Sequence, residues 1–212
     1  GKPASGSEGE FFDEWLNSAG GGKRYRFSLL TQNSLQEANK ISFGRAVIPD
    51  YAFENAGIML NSSTEFLEGW GSSVENARRF TEAHAYRNGN KKRLIHISPH
   101  VSLTGAKSDR WIQIKPGTEG LVALAIASVI REEKDNYKFL ETYLETYTPE
   151  NVAEASGVSA EKIRELAKDV LDNGPLMALA GGNLIATDQC VETLTAVNIL
   201  NAVAGALGKT VR

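Results

Sequence analysis

The chain has 212 residues, of which 42% are hydrophobic and 23% are charged, so it can bury a sizeable core as one domain or two small ones. Its net charge of -3 and the shortness of its densest basic cluster, residues 90–93, exclude a nucleic-acid surface. Its one cysteine, Cys190, excludes an internal disulfide and any four-thiolate iron-sulfur or zinc site built from this chain alone. The longest apolar stretch is shorter than the roughly 18 to 20 residues that span a bilayer, so we expect no direct membrane insertion.

Residues 1–22 are predicted to form a flexible lead and a short helix. Residues 1–9 are small, polar and rich in glycine, and because the sequence starts without methionine we expect a processed or excised product. Phe11, Phe12 and Trp15 then recur at helical spacing, and three consecutive glycines stop the helix. This pattern is more typical of a helix that covers an apolar surface than of an aromatic ligand-binding box.

Residues 23–147 form a first segment in which strand and helix patterns alternate. Apolar and β-branched runs predict strands at 25–31, 57–60, 94–97 and 111–114. Amphipathic or continuously apolar runs predict helices at 32–43, 74–86, 121–130 and 138–147. Strands that alternate with helices favour parallel pairing with right-handed connections.

A strand, a loop, a second strand and a buried helix follow one another closely in the middle of this segment. Pro99 cannot donate to a strand ladder, so the strand before it is predicted to end at Ser98. Gly117 turns the next strand into a helix, for which Thr118 is the predicted N-cap. The helix at 121–130 is apolar on nearly every face, which predicts that it is buried on most sides.

Residues 148–212 form a second αβ segment. It is predicted to contain helices at 151–156, 160–173 and 187–207 and a buried strand at 176–180. Ser159 is the predicted N-cap of the second helix, and Gly208 is the predicted C-cap of the third. The two segments together predict an α/β fold class: a parallel, Rossmann-like sheet flanked by helices, with a ligand crevice at the carboxyl ends of the strands.

From about residue 25 to residue 208 the chain resembles the large subunits of the molybdopterin-dependent oxidoreductases of the dimethyl sulfoxide reductase and formate dehydrogenase type. The most specific part is ISPHVSLTGAKSDRWIQIKPGTEGLVALAIASVI, which is similar to the family's strand, "DPR"-like turn, "A-D" step and "PGTD" helix start. The runs VIPDY, ENA, FLEGW and VENAR look most like the molybdopterin-like iron-sulfur subunit of alternative complex III and its menaquinone-linked relatives.

This resemblance implies that the chain is the middle αβ portion of a larger subunit. The family's iron-sulfur clusters and its carboxyl-terminal β-barrel would then lie in parts of the subunit that are not present here. The resemblance further implies that the partners are other subunits of a membrane-bound respiratory complex, and that the location is the periplasmic side of a bacterial membrane, held peripherally.

The resemblance also places candidate cofactor-binding residues in three loops and at one helix start. In chain order they are Asn61, Ser62, Ser63, Ser98, His100, Gly117, Thr118, Glu119, Gly181 and Gly182. In the first loop, serines stand where glycines would let the backbone approach a phosphate, and Glu65 and Glu68, which follow, repel a pyrophosphate. The glycines of the third loop keep it open, although glycine at a strand end is equally typical of close packing.

The second loop and the helix start carry the remaining candidates. Ser98 stands where an acidic residue would bind a ribose hydroxyl. His100 stands where an arginine would reach a phosphate, and a neutral histidine offers no bidentate fork. Glu119 matches the acidic residue of the helix start and could accept from the N1 and N2 donors of guanine, although an acid in a first helical turn is also favoured by the helix dipole alone.

No catalytic or metal-binding residue is predicted. No residue aligns with the family's molybdenum ligand, and the three histidines have no carboxylate or cysteine at metal-ligand spacing. One hypothesis is therefore a scaffold domain of a quinol-oxidising complex, without bound cofactor and without catalysis by this chain alone. The alternative is the guanine-dinucleotide-binding domain of an active reductase or dehydrogenase, with molybdopterin guanine dinucleotide as its cofactor. A third hypothesis, a free-standing dinucleotide-binding domain, rests only on analogy of fold.

Overall fold

The computed structural model describes residues 6–25, 32–86, 91–182, 184 and 187–212. The chain divides into two compact units, Gly1–Thr31 and Gln32–Arg212. In the first unit, helix α1 spans Gly6–Ser18, so it begins inside the stretch predicted to be a flexible lead. The aromatic side chains of α1 are exposed, namely Phe11, Phe12 and Trp15. Residues 26–31 of the first predicted strand lie outside the described residues, and that strand stays a prediction.

The second unit is built on one sheet of four parallel strands. These are β1 (Ile58–Ser62), β2 (Arg93–Ser98), β3 (Arg110–Gln113) and β4 (Leu176–Ala180). Their order across the sheet is β3-β2-β1-β4, and each neighbouring pair is parallel. The parallel, Rossmann-like α/β fold predicted from the sequence is therefore confirmed. Strands from both predicted segments share this sheet, since β4 of the second segment pairs with β1 of the first.

Helices cover the sheet. The α-helices are α2 (Asn33–Phe43), α3 (Ser73–His84), α4 (Leu103–Ala106), α5 (Glu119–Lys134), α6 (Glu141–Leu144), α7 (Pro149–Ser156), α8 (Ala160–Asn173) and α9 (Cys190–Ala204). 3₁₀ turns lie at Phe53–Asn55 and Lys138–Leu140, among other places. No helix among the described residues is both long and apolar enough to cross a membrane.

Three predicted helix features differ from the structure. The helix predicted at 138–147 is a 3₁₀ turn followed by the short α6, because hydrogen bonds with three-residue spacing, Leu140 N to Tyr137 O and Tyr147 N to Leu144 O, replace the α-helical ones at both ends. Helix α9 ends at Ala204, since Gly205 already takes the left-handed C-cap conformation predicted for Gly208. The short α4 was not predicted.

The packing of α5 against α9 explains why a glycine follows Glu119. A Cβ atom at Gly120 would lie 3.1 Å from Thr193 Cα, closer than most Cβ contacts in proteins, so glycine favours this close approach of the two helices. Most of α5 is buried, including Val122, Ala125 and Ile126, as its continuous apolar pattern predicts. This buried helix fixes the position of its own first turn, which carries Glu119.

Helix α9 also completes the hydrogen bonding of the edge strand β4. Asn201 Nδ2 donates to Ala178 O at 2.9 Å, and Ala178 N donates to Asn201 Oδ1 at 2.9 Å. Both groups are buried, and within the part of the chain that the structure describes no strand lies beyond β4 to satisfy them. The Asn201 side chain takes the place of such a strand at Ala178.

We expect Asn201→Leu to lower the free energy of unfolding by about 2 kcal/mol, because leucine keeps the volume but leaves the N–H and C=O of Ala178 without partners. Chemical denaturation at neutral pH measures this loss. Ile199→Leu, a conservative change on the same helix, serves as the control and should stay within about 0.5 kcal/mol of the parent. Equal stabilities of Asn201→Leu and the parent chain would contradict the role assigned to Asn201.

Candidate functional site

The strand order places a candidate crevice at the carboxyl ends of β1 and β4. From β1 the chain builds outward through β2 to β3 and then returns to add β4 on the other side of β1. In open parallel sheets, ligands bind outside the carboxyl ends of the strands where the order reverses in this way. The loops after β1 and β4 and the start of α5 lie at this end of the sheet, so the predicted site residues belong to the region where a ligand would bind.

The first predicted loop begins later than the sequence indicates. Asn61 and Ser62 lie within β1, so their assignment to the loop was wrong. The reason is that Asn61 is buried and fastens the turn from inside, with its Nδ2 2.8 Å from Thr64 O and 2.7 Å from His96 Nδ1. The carbonyl of Ser62 accepts from Thr64 Oγ1 at 3.1 Å. Both residues are therefore engaged within the protein.

Ser63 and Glu119 form a buried pair between the first loop and the start of α5. Ser63 has a φ of 49°, and its Oγ donates to Glu119 Oε1 at 2.8 Å. Glu119 is only 2% exposed. Its second oxygen, Oε2, is buried and has no hydrogen-bond partner within the part of the chain that the structure describes. The pair thus presents one acceptor whose hydrogen bonding is not satisfied by these residues.

The turn before Glu119 differs from its prediction at one point. Gly117 has a φ of 80°, which glycine adopts without strain. Thr118 occupies the N-cap position, but its hydroxyl does not cap α5 and instead donates to Lys115 O at 2.6 Å. The φ of −105° and ψ of 8° at Thr118 depart from the extended conformation that is typical of a capping residue.

The second loop is held together by its own polar groups. Ser98 is fully buried, donates to His100 O at 2.5 Å and accepts from Trp111 Nε1 at 3.1 Å. His100 is exposed, and its Nε2 lies 3.4 Å from Glu65 Oε1. The structure therefore brings His100 to a carboxylate of the first loop, while the hydroxyl of Ser98 is used internally.

A carboxylate of the first loop also occupies the amide groups at the start of α4. Glu68 Oε1 accepts from Leu103 N at 2.8 Å, and Glu68 Oε2 accepts from Thr104 N at 3.2 Å and from Thr104 Oγ1 at 2.6 Å. Backbone amides at a helix start are the groups that bind phosphate in many nucleotide sites. Here these donors are already occupied by a negative side chain.

The third loop is in contact with a tryptophan from the first. A Cβ atom at Gly181 would lie 2.5 Å from Trp70 Nε1 and 2.8 Å from Trp70 Cε2. Gly182 has a φ of 61°, and a Cβ atom there would lie 3.2 Å from Glu65 N. The two glycines are therefore required by close packing and by backbone conformation, which is the structural alternative that the sequence left open.

Trp70 is a site residue that the sequence analysis missed. It is 7% exposed, and its ring centroid lies 5.6 Å from that of Tyr51. The sequence did not indicate the contact between Trp70 and the glycine pair because more than a hundred residues separate them. A glycine pair at a strand end together with a tryptophan a few residues after another strand was the available signal, but spacing in the sequence does not say that the two meet.

Two cavities lie away from this crevice. One of about 620 Å³ is lined by α5, the start of α7 and α8. The other, of about 320 Å³, is lined mainly by apolar side chains of α2, α9, residues 137–140 and Leu207. No predicted site residue lines either cavity. Among the residues placed by the structure there is also no group of three His, Cys, Asp or Glu side chains that could hold a metal ion.

The architecture defines the class of protein as an open parallel, Rossmann-like α/β domain. The solved structure of acetylene hydratase from Pelobacter acetylenicus has the same fold, with a TM-score of 0.71 and 18% identity over 85% of this chain and 25% of that one. No protein-family profile matches the chain.

Similarity to curated protein sequences relates the chain to the molybdopterin oxidoreductases. The menaquinone reductase, molybdopterin-binding-like subunit, of Nitratidesulfovibrio vulgaris is 25% identical over 56% of this chain and 18% of its own length. The protein named probable oxidoreductase YoaE of Bacillus subtilis is 30% identical over 62% of this chain and 22% of its own. Formate dehydrogenase H of Escherichia coli is 24% identical over 88% of this chain and 28% of its own. The chain is therefore a relative of the molybdopterin oxidoreductases and spans about a quarter or less of the length of the first two.

The residues present fit only one part of a molybdopterin guanine dinucleotide. Glu119 Oε2 is a buried acceptor of the kind that the N1 and N2 donors of guanine need. The pyrophosphate does not fit, because Glu68 occupies the amides of Leu103 and Thr104 and Glu65 lies beside His100. The indole of Trp70 fills the space beside Gly181. As a whole, the crevice does not fit the dinucleotide.

Proposed function

We propose that the chain is a scaffold αβ domain of a molybdopterin-oxidoreductase-like subunit in a respiratory, quinol-oxidising electron-transfer complex, and that it works without bound molybdenum. In this proposal the domain holds electron carriers and partner subunits in position and performs no metal chemistry. The complex is membrane-bound, and the domain lies peripherally on the periplasmic side.

The position of Glu68 is the observation that carries the proposal. A dinucleotide site needs amide donors and positive charge at its phosphate loops. In this chain the amides of Leu103 and Thr104 bind the carboxylate of Glu68, and a second carboxylate of the same loop, Glu65, lies 3.4 Å from His100. A pyrophosphate placed there would meet like charge and occupied donors.

The name of one relative supports the assembly part of the proposal. The protein from Nitratidesulfovibrio vulgaris is called a molybdopterin-binding-like subunit of a menaquinone reductase. That name joins a molybdopterin-type fold to a quinone-linked complex and describes the subunit as only similar to a cofactor-binding one. The runs of sequence that resemble alternative complex III favour the same kind of assembly.

Measurement of metal content tests the proposal. The intact subunit that contains this domain should be purified from cells that make the molybdopterin cofactor, with formate dehydrogenase H of Escherichia coli prepared in parallel as the positive control. We expect less than about a tenth of an equivalent of molybdenum or tungsten in the subunit and close to stoichiometric metal in the control. Stoichiometric metal in the subunit would contradict the proposal.

The alternative function, a guanine-dinucleotide-binding domain of an active reductase or dehydrogenase, is favoured by the unsatisfied Oε2 of Glu119. Calorimetric titration with GDP separates the two. The scaffold proposal expects no measurable heat from the parent chain or from Glu119→Ala. Binding by the parent chain that Glu119→Ala loses would move the assignment to the alternative.

A further inference from the structure

We infer that Trp70 closes the guanine-nucleotide crevice of this domain. The segment of residues 65–70 fills the space between the ends of β1 and β4. Within that segment, the indole of Trp70 prevents a nucleotide from entering this space. The inference deepens the proposed function, because a crevice filled by the chain itself is what a scaffold derived from a nucleotide-binding fold requires.

The contact between Trp70 and Gly181 is the first observation. The Cβ position of Gly181 lies 2.5, 2.8 and 3.1 Å from Nε1, Cε2 and Cζ2 of the indole. The indole therefore rests on the bare backbone of the third loop, at the point where a ligand would approach the end of β4. A ligand and this side chain cannot occupy the same space.

The rigid placement of Trp70 is the second observation. Gly69 N and Trp70 N both donate to Glu65 O, at 2.9 and 3.1 Å, which closes a tight turn. Asn76 Nδ2 donates to Trp70 O at 3.0 Å and ties this turn to α3. The backbone of Trp70 is thus held in place, and the indole is kept in the crevice by packing, since its Nε1 is buried and has no hydrogen-bond partner among the described residues.

The third observation is a cavity of about 230 Å³, with a mixed polar and apolar lining, beside Trp70. It is lined by Trp70 together with, among others, Asn76 and Arg79. Trp70 is therefore the wall between this cavity and Gly181. Removing the indole would join the cavity to the space beside the third loop.

The space that Trp70 occupies also borders the segment that leads to Glu119. The Cβ position of Gly182 lies 3.8 Å from Trp70 Cβ and 3.7 Å from Thr64 Cα. Thr64 directly follows Ser63, whose Oγ donates to Glu119. Opening the crevice at Trp70 therefore creates room next to the loop that holds Glu119, whose Oε2 is an unsatisfied acceptor, and guanine is the nucleobase whose donors match it.

The test is a titration of four forms of the 212-residue chain with GDP and, separately, with indole. The parent chain is expected to bind neither. Trp70→Gly is expected to bind indole, which reports that the variant is folded and the space is open, and to bind GDP with a Kd below about 1 mM. Trp111→Gly, at a tryptophan that is 37% exposed, is the control and should bind neither. Trp70→Gly combined with Glu119→Gln should keep indole binding and bind GDP at least about tenfold more weakly.

Three results would overturn the inference. Binding of indole but not GDP by Trp70→Gly would mean that Trp70 is only a packing residue. Binding of GDP by the parent chain would mean that the crevice is not closed. If Trp70→Gly does not fold, Trp70→Leu takes its place, and failure of both to fold would assign Trp70 to the core. The first and third results leave the proposed function standing, whereas binding of GDP by the parent chain counts against both. The metal content of the intact subunit tests the proposed function by itself.

Discussion

Substitution of Gly181 by alanine is expected to lower the free energy of unfolding by about 3 kcal/mol. The added methyl group would lie 2.5 to 3.1 Å from three atoms of the Trp70 indole, which is closer than real Cβ atoms approach. The indole is 7% exposed and packs against Tyr51, so moving aside into the neighbouring cavity would cost it this aromatic contact. Overpacking of an enclosed site destabilises proteins by about 1 to 3 kcal/mol and sometimes more. Urea denaturation of the variant and the parent measures the difference.

Two further variants separate this clash from a general effect of alanine. Gly69→Ala, in the same region, has open space around its Cβ position and should change stability by less than about 1 kcal/mol. In a Trp70→Gly background, Gly181→Ala should no longer be destabilising, because the atoms that it meets are gone. A loss for Gly181→Ala that persists unchanged in that background would show that Trp70 is not the cause.

Acidification is expected to remove about 3 kcal/mol of stability through His96. Burial lowers the pKa of His96 to about 4, with a smaller lowering by nearby His100 and an opposing effect of Glu68. The native ring is neutral, and its Nδ1 faces Asn61 Nδ2 at 2.7 Å. In the unfolded chain the same group titrates near 6.5.

The direction of the pH dependence of stability follows from which state, folded or unfolded, binds the proton at His96. Between pH 6.5 and about 4 the unfolded chain takes up a proton at this residue while the folded chain does not, so stability is complete above pH 6.5, falls as the pH drops and levels off below about 4. At about 1.4 kcal/mol for each pH unit, this interval corresponds to about 3 kcal/mol. Denaturation at pH 7.5, 5.5 and 4 measures it.

The matched variant is His96→Gln, whose side chain can still accept from Asn61 but does not titrate. Between pH 6.5 and 4 the free energy of unfolding of this variant should fall by about 3 kcal/mol less than that of the parent chain. His100→Gln removes an exposed histidine and should keep most of the loss. Identical pH dependence of His96→Gln and the parent would remove His96 from the explanation.

The sequence predicted the parts of the fold that depend on local pattern. Apolar periodicity and capping act within a few residues, so they could be predicted from the sequence. They predicted the buried strand at 94–97, the apolar helix α5 and the N-cap at Ser159. Ser159 Oγ accepts from Lys162 N at 3.3 Å as expected. The features that failed, such as the cap at Thr118, depended on backbone dihedral angles that the residue type alone does not fix.

The site was predicted less completely for a different reason. The sequence did indicate that Glu65 and Glu68 oppose a phosphate, since charge is visible in the residue itself. It did not indicate that Glu68 binds the amides of Leu103 and Thr104, or that Trp70 covers Gly181, because these contacts join loops whose meeting depends on the strand order. Occupancy of a crevice by the chain itself is a property of long-range packing.

The strand order has a consequence for how the protein folds during synthesis. Central strand β1 pairs with β4, and Ile58 meets Leu176, about 120 residues later in the chain. At the usual translation rate of about 5 to 20 residues per second, β1 waits on the order of ten seconds for this neighbour to be made. Until then one side of an apolar strand has unpaired backbone groups that can recruit another chain. The period of greatest aggregation risk is therefore set by the position of β4 in the gene, and a chaperone acting on the nascent chain would be needed most before Leu176 emerges.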